Sequence, residues 1–144
     1  MPIGVRGLRS PVALVVVDTD VASSFIRAKP TREVLAALAP HIMCVTFVTI
    51  AELTEWGINR SWGHRVRLDV DGWLARVPKV WCEEDISRTW GILSSEARCA
   101  GRPRPINDMW IAACCIAQGV PLATLNSKDY VDFVDHGLDL LSLS

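Results

Sequence analysis

Val12-Ala13-Leu14-Val15-Val16-Val17-Asp18 is the stretch on which the fold turns. Six apolar residues, mostly β-branched, run without alternation and stop at a carboxylate, the pattern of a strand buried on both faces. Asp18 is thereby expected at a strand end.

Downstream, Val21 to Ala28 has the spacing of a short helix, broken by Pro30. Thr31, followed by Glu33, Val34, Leu35 and Leu38, reads as the start of a capped helix that ends near Pro40. Ile42 to Phe47 reads as a second strand, and the residues from Thr49 through Glu52 to Trp56 as a helix directly after it. Between Trp62 and Val77, Val66, Val70, Trp73 and Leu74 form a helical stripe. Pro78 to Trp81 gives a short third strand, and Ile86, Trp90, Leu93 and Ala97 a helix closed by Gly101. After the Gly101 to Pro105 loop, Asn107 to Gln118 is an apolar helix ended by Gly119. Pro121 to Leu125 and Leu138 to Leu143 complete the strands.

Alternation of strands and helices predicts an α/β three-layer sandwich around a mainly parallel sheet of four to five strands. In such sheets ligands collect beyond the carboxyl ends of the strands. Asp18 is expected there after the first strand, and Thr124, Asn126 and Asp129 after the fourth. Glu52 and Asp108 lie in helices able to present early turns to the same rim.

The 144 residues suit one domain, with residues 1–11 expected as a flexible N-terminal extension. Half the residues are hydrophobic and 22% charged, which excludes a disordered tail. The apolar runs are far shorter than the roughly 18 residues of a membrane span. With no cleavage site after the basic N-terminus, the chain is expected in the cytoplasm. Five cysteines, Cys44, Cys82, Cys99, Cys114 and Cys115, show no paired spacing and are expected reduced and buried. Net charge is −1, so the whole molecule carries no field announcing a polyanion partner. Arginines do gather locally, as Arg60, Arg65 and Arg67 and as Arg98, Arg102 and Arg104.

Carboxylates brought together at the ends of apolar elements repel and raise one another's pKa, a conflict that a hard divalent cation relieves. Each acid also has an ordinary reading. Asp18 and Asp20 serve equally as helix caps, Glu52 as a first-turn acid favoured by the helix dipole, and Asn107 or Asp108 as a cap. Asp129 fits a simple turn.

Taken in order, four segments carry a resemblance: Val15 to Val21 around Asp18, Thr49 to Leu53 around Glu52, Asn107 to Ala113 around Asp108, and Ala123 to Tyr130 around Asp129. They resemble the four motifs of the PIN-domain family, in particular its VapC toxin branch, over nearly the whole chain. The resemblance implies a Mg²⁺-dependent endoribonuclease, with Mn²⁺ as a substitute, that cleaves by in-line attack of a metal-activated water. It assigns Asp18 and Asp108 as metal ligands, Glu52 as the second-motif acid and Asp129 as a fourth acid. Asp20, Asn107, Thr124 and Asn126 become supporting residues. It further implies a homodimer and a small antitoxin, whose groove is expected along Val34 to Leu38 and Glu52 to Trp56. Asp20 replaces a frequent Asn or Ser, and Asn126 a frequent acid, which leaves a second metal site in question. Arg60, Arg65, Arg102 and Arg104 are candidate RNA contacts on the rim. His41, His64 and His136 fall outside the motifs.

Two other readings compete. The Val15 to Asp20 segment also resembles the nucleophile motif of haloacid dehalogenase-type phosphatases, but Glu52 then has no role. A catalytically silent binding module of the same fold accounts for Asp20 and Asn126 as drift, but leaves three carboxylates clustered without a use.

Overall fold

The computed structural model describes residues 13–27 and 30–143. The expectations for residues 1–12, and for Ala28 as a helix end, lie outside the described residues.

Five strands, β1 (Leu14–Val17), β2 (Ile42–Thr46), β3 (Lys79–Val80), β4 (Leu122–Thr124) and β5 (Leu140–Ser142), form one sheet in the order β3-β2-β1-β4-β5. Every pairing is parallel, so the expected mainly parallel sheet is wholly so among the described residues. Six helices accompany it: α1 (Thr19–Ile26), α2 (Arg32–Leu38), α3 (Phe47–Asn59), α4 (His64–Arg76), α5 (Glu84–Cys99) and α6 (Ile106–Gln118). Two 3-10 segments, Ser127–Asp129 and Val131–His136, link β4 to β5.

The run that decided the fold behaves as its composition requires. Side chains of a strand alternate between faces. Val16 joins a core with Ile86, Leu93, Met109 and Ile111 from α5 and α6, while Val15 and Val17 join Val21, Val34 and Leu38 from α1 and α2 on the other face. All three valines are fully buried, which produces the three layers.

Several boundaries move for local reasons. Asp18 caps α1, so the helix starts at Thr19 rather than Val21. Thr46 caps α3 by accepting from the Val48 amide at 3.2 Å, which takes Phe47 out of β2 and into the helix. Trp62 precedes α4 and packs beneath it with Leu53 and Val70. Gly101 and Gly119 adopt φ of +68° and +65° just past α5 and α6, the left-handed ends that suit glycine. The third strand shrinks to Lys79 and Val80, with Lys79 Nζ donating to the Leu74 and Val77 carbonyls.

Cys44, Cys114 and Cys115 are buried as expected, but Cys82 and Cys99 are exposed; all five are free thiols. Burial pushes Cys44 and Cys114 up to about 12, which keeps them protonated and inert.

Candidate active site

Strand β1 is flanked by β2 on one side and β4 on the other, so chain direction around the sheet reverses at the carboxyl edge between β1 and β4. That crevice is the switch point at which open parallel sheets bind ligands. Asp18 leaves β1 there, and Thr124 ends β4 beside it.

Asp18 is 4% exposed. Its Oδ1 accepts from the Val21 amide at 3.1 Å, and its Oδ2 from the Thr124 hydroxyl at 2.6 Å. Thr124 in turn accepts from the Asn126 amide at 2.9 Å. Asp18 is therefore both a helix cap and a member of the acid cluster. Burial pushes it up from 3.8 to about 6; the Thr124 and Val21 bonds oppose the shift, and Asp20 and Asp108 add to it.

Glu52 lies in the second turn of α3, not the first, so the dipole reading does not account for it. Thr19 donates to Glu52 Oε1 at 2.6 Å, and Thr19 and Thr49 hydroxyls lie 3.0 Å apart. Thr19 has one proton and gives it to the carboxylate, so Thr49 donates to Thr19. On the opposite oxygen, Asn107 Nδ2 donates to Oε2 at 3.5 Å. Helices α3 and α6 are thereby pinned to α1 through one carboxylate.

Asp108 stands in the first turn of α6, whose cap is Pro105 with no side-chain cap bond. Capping therefore explains neither Asn107 nor Asp108. Burial raises Asp108; the Tyr130 hydroxyl, donating to Oδ1 at 3.3 Å, opposes this, Asp129 and Glu52 add to it, and Arg104 lowers it.

Asp18, Glu52, Asp108 and Asp129 are thus joined by mutual repulsion in one region, with Arg104 as a positive influence on Asp108. A hard cation suits these all-oxygen donors. Among the described residues no three His, Cys, Asp or Glu side chains stand close enough to enclose an ion by themselves. The fit is to an ion that keeps several of its waters, as magnesium does.

The sequence profile of the PIN domain matches residues 15–133. The chain belongs to the PIN-domain family. Within that family it is similar to Ribonuclease VapC4 of Mycobacterium tuberculosis, 32% identical over 121 residues that cover 82% of this chain and 89% of the relative. VapC ribonuclease Y4jK of Sinorhizobium fredii is 29% identical over 90% of this chain and 96% of its own. Among solved structures, VapBC2 from Rickettsia felis bound to a promoter DNA fragment shares the fold at TM-score 0.76 and 22% identity, covering 90% of this chain and 98% of that one. VapBC-5 from M. tuberculosis matches at TM-score 0.65 and 26% identity, over 90% and 97% of the two chains.

Around the acids of this PIN domain, the supporting positions take distinct parts. Asp20 is exposed and accepts from Asn126 Nδ2 at 3.1 Å, tying α1 to the end of β4. The two departures from the family pattern, Asp20 and Asn126, are thus bonded to each other. Asp129 ends a 3-10 turn whose amide bonds to the Asn126 carbonyl at 3.0 Å.

The candidate RNA-contacting arginines separate. Arg60 caps the far end of α3 and lies 4.2 Å over the Trp56 ring, and Arg65 pairs loosely with Asp69 at 3.7 Å on an exposed face. Arg102 and Arg104 both reach Asp132, at 3.3 and 3.8 Å, and Arg104 also donates to the Asp129 carbonyl at 3.0 Å. Of the four, Arg104 reaches the acids, through Asp108 and the Asp129 carbonyl; Arg60 lies about 12 Å along α3 from Glu52.

Of the groove expected along Val34 to Leu38 and Glu52 to Trp56, Val34 and Leu38 are buried in the core. Leu53 and Thr54 line an apolar cavity between α3 and α4, with Ile58, Trp62, Val70 and Leu74.

Thr19, Thr49 and Tyr130 were not singled out by the sequence. Thr49 precedes Glu52 by three residues on one helix face, a signal that was present. Tyr130 closes the fourth motif segment, but nothing there marks its hydroxyl as a partner of Asp108. Replacing it with Phe keeps its contact with Phe133 and removes the donor to Asp108. Tyr130→Phe is expected to raise the Asp108 pKa further while leaving Asp18 in place, read by carboxyl ¹³C NMR, with a stability change under about 1.5 kcal/mol. An unmoved Asp108 would show that the hydroxyl does not act on it.

Proposed function

We propose that this PIN domain is a Mg²⁺-dependent endoribonuclease, the toxin of a type II toxin-antitoxin pair. The observation that carries the reading is the buried Asp18 carboxylate at the β1/β4 crevice, raised to about 6 and repelled by Asp108. Ribonuclease names among its curated relatives and VapBC complexes among its structural neighbours support it.

In this reading Asp18 and Asp108 would hold the ion, and Asp129 would reach it through one of its waters. Mg²⁺, or Mn²⁺ in its place, supplies charge neutralisation at phosphorus and acidifies a water. The chain's own groups set the stage. Thr124 and the Val21 amide fix the Asp18 oxygens, and each oxygen keeps acceptor capacity beyond that bond. Thr19, backed by Thr49, fixes Glu52 through Oε1, so Oε2 beside Asn107 is the atom placed to take a proton from the attacking water. Attack by water requires no 2′-hydroxyl and no histidine pair; with the bond from phosphorus to the 3′-oxygen as the one that breaks, that oxygen leaves as a 3′-hydroxyl and the other product carries a 5′-phosphate. A cognate antitoxin, a homodimeric state and a cytoplasmic setting belong to the same proposal.

The test is a defined set of unstructured oligoribonucleotides incubated with Mg²⁺ or EDTA, with product ends mapped. Magnesium-dependent fragments bearing 5′-phosphate are expected. Fragments with 2′,3′-cyclic phosphate, or equal cleavage in EDTA, would contradict the mechanism.

A further inference from the structure

We infer that the cavity beside Arg104 receives one unpaired guanine of the RNA, next to the bond that is cut. This rests on the nuclease reading and deepens it.

The cavity, of about 500 Å³, lies between the second half of α5 and the Val131–His136 segment. That volume falls in the range of small-molecule sites, about 300–1,000 Å³. Its floor holds the buried Leu93 and Phe133. Arg104 places it beside the acids, since the same guanidinium donates to the Asp129 carbonyl and lowers the Asp108 pKa. Arg104 thus links this cavity to the acids, and in this proposal a strand with a phosphate at the acids places a neighbouring base at the cavity.

Charge decides what enters. The wall carries Arg102 and Arg104 against Glu96, Asp132 and Asp135, and His136 is already paired with Glu96 at 3.0 Å. A wall whose carboxylates balance its guanidiniums offers a phosphate no net attraction and suits a neutral, flat, hydrogen-bonding group. Both arginines converge on Asp132 Oδ2, and Oδ1 takes no hydrogen bond among the described residues. A carboxylate flanked by guanidinium forks asks for adjacent N–H donors beside carbonyl and ring-nitrogen acceptors. Guanine offers N1–H and its 2-amino group to the carboxylate, and O6 and N7 to Arg102, whose side chain is largely in solvent. Those edges are free only in a single strand, where RNA is read by sequence.

The experiment measures binding in EDTA, where no cleavage competes, by fluorescence anisotropy. An oligouridylate with one guanosine is compared with the same oligomer carrying inosine, which lacks the 2-amino group. Wild type is expected to bind the guanosine oligomer about tenfold more tightly, the scale of a lost hydrogen bond to a charged partner. Asp132→Asn should abolish that preference. Arg102→Met, at a side chain largely in solvent, should weaken guanosine binding without unfolding the chain. Equal affinities for the two oligomers in wild type would overturn the site. Guanine preference without magnesium-dependent cleavage would retain the site and remove the nuclease; cleavage without guanine preference would do the reverse.

Discussion

Asp18→Asn is expected to lower RNA cleavage by on the order of a thousandfold while making the metal-free protein more stable. The first effect follows from the several kcal/mol that a divalent ion contributes to phosphoryl displacement, at about 1.4 kcal/mol per tenfold. The second follows from burial. Folding raises the Asp18 pKa from 3.8 to about 6, so the folded state holds the proton more tightly than the unfolded state. That linkage costs nothing below pH 3.8, grows as pH rises toward 6, and is fully present above it. At about 1.4 kcal/mol per unit it is worth on the order of 3 kcal/mol. Asparagine keeps an acceptor for Val21 or Thr124 and carries no charge. Denaturation with EDTA at pH 4 and pH 7.5 should show the variant's advantage only at the higher pH. An advantage equal at both would mean that the charge is not its source.

The second large effect is expected at Thr124, which is fully buried and joins β4 to both Asp18 and Asn126. Thr124→Val preserves shape and removes both hydrogen bonds. The Asn126 amide loses its side-chain acceptor, and Asp18 loses the strongest influence that holds its pKa down. Stability should fall by about 1–3 kcal/mol, and at subsaturating Mg²⁺, where protons and metal compete for Asp18, the acid limb of the rate-pH profile should move up. Activity lost at low pH should therefore return at higher pH, which a chain damaged only in packing would not do. A uniformly reduced profile with an unmoved acid limb would remove Thr124 from the charge network.

How much of this could be read in advance depends on distance along the chain. The valines before Asp18 announce a doubly buried strand because no solvent-facing position interrupts them. Gly101 and Gly119 mark helix ends for a local conformational reason. The two-residue β3 carries too little pattern to bound. Bonds such as Asn126 to Asp20 and Thr124 to Asp18 span 106 residues, and Thr19 to Glu52 spans 33. The first two exist because β4 lies beside β1 and the third because β2 does, an order that hydrophobic periodicity does not specify. The same holds for Arg102 and Arg104: their sequence neighbourhood suggests free phosphate contacts, whereas the 3-10 segment brings Asp132 between them. The acids themselves were legible through the family motifs, but what holds each in place was not.

The most direct measurement of the central claim sets purified wild type and Asp18→Asn side by side on total cellular RNA, each with Mg²⁺ and with EDTA. Discrete fragments in the single lane holding both Asp18 and magnesium are the expected result. Equal cleavage by Asp18→Asn, or none by wild type at any magnesium concentration across all RNA classes, would contradict the account.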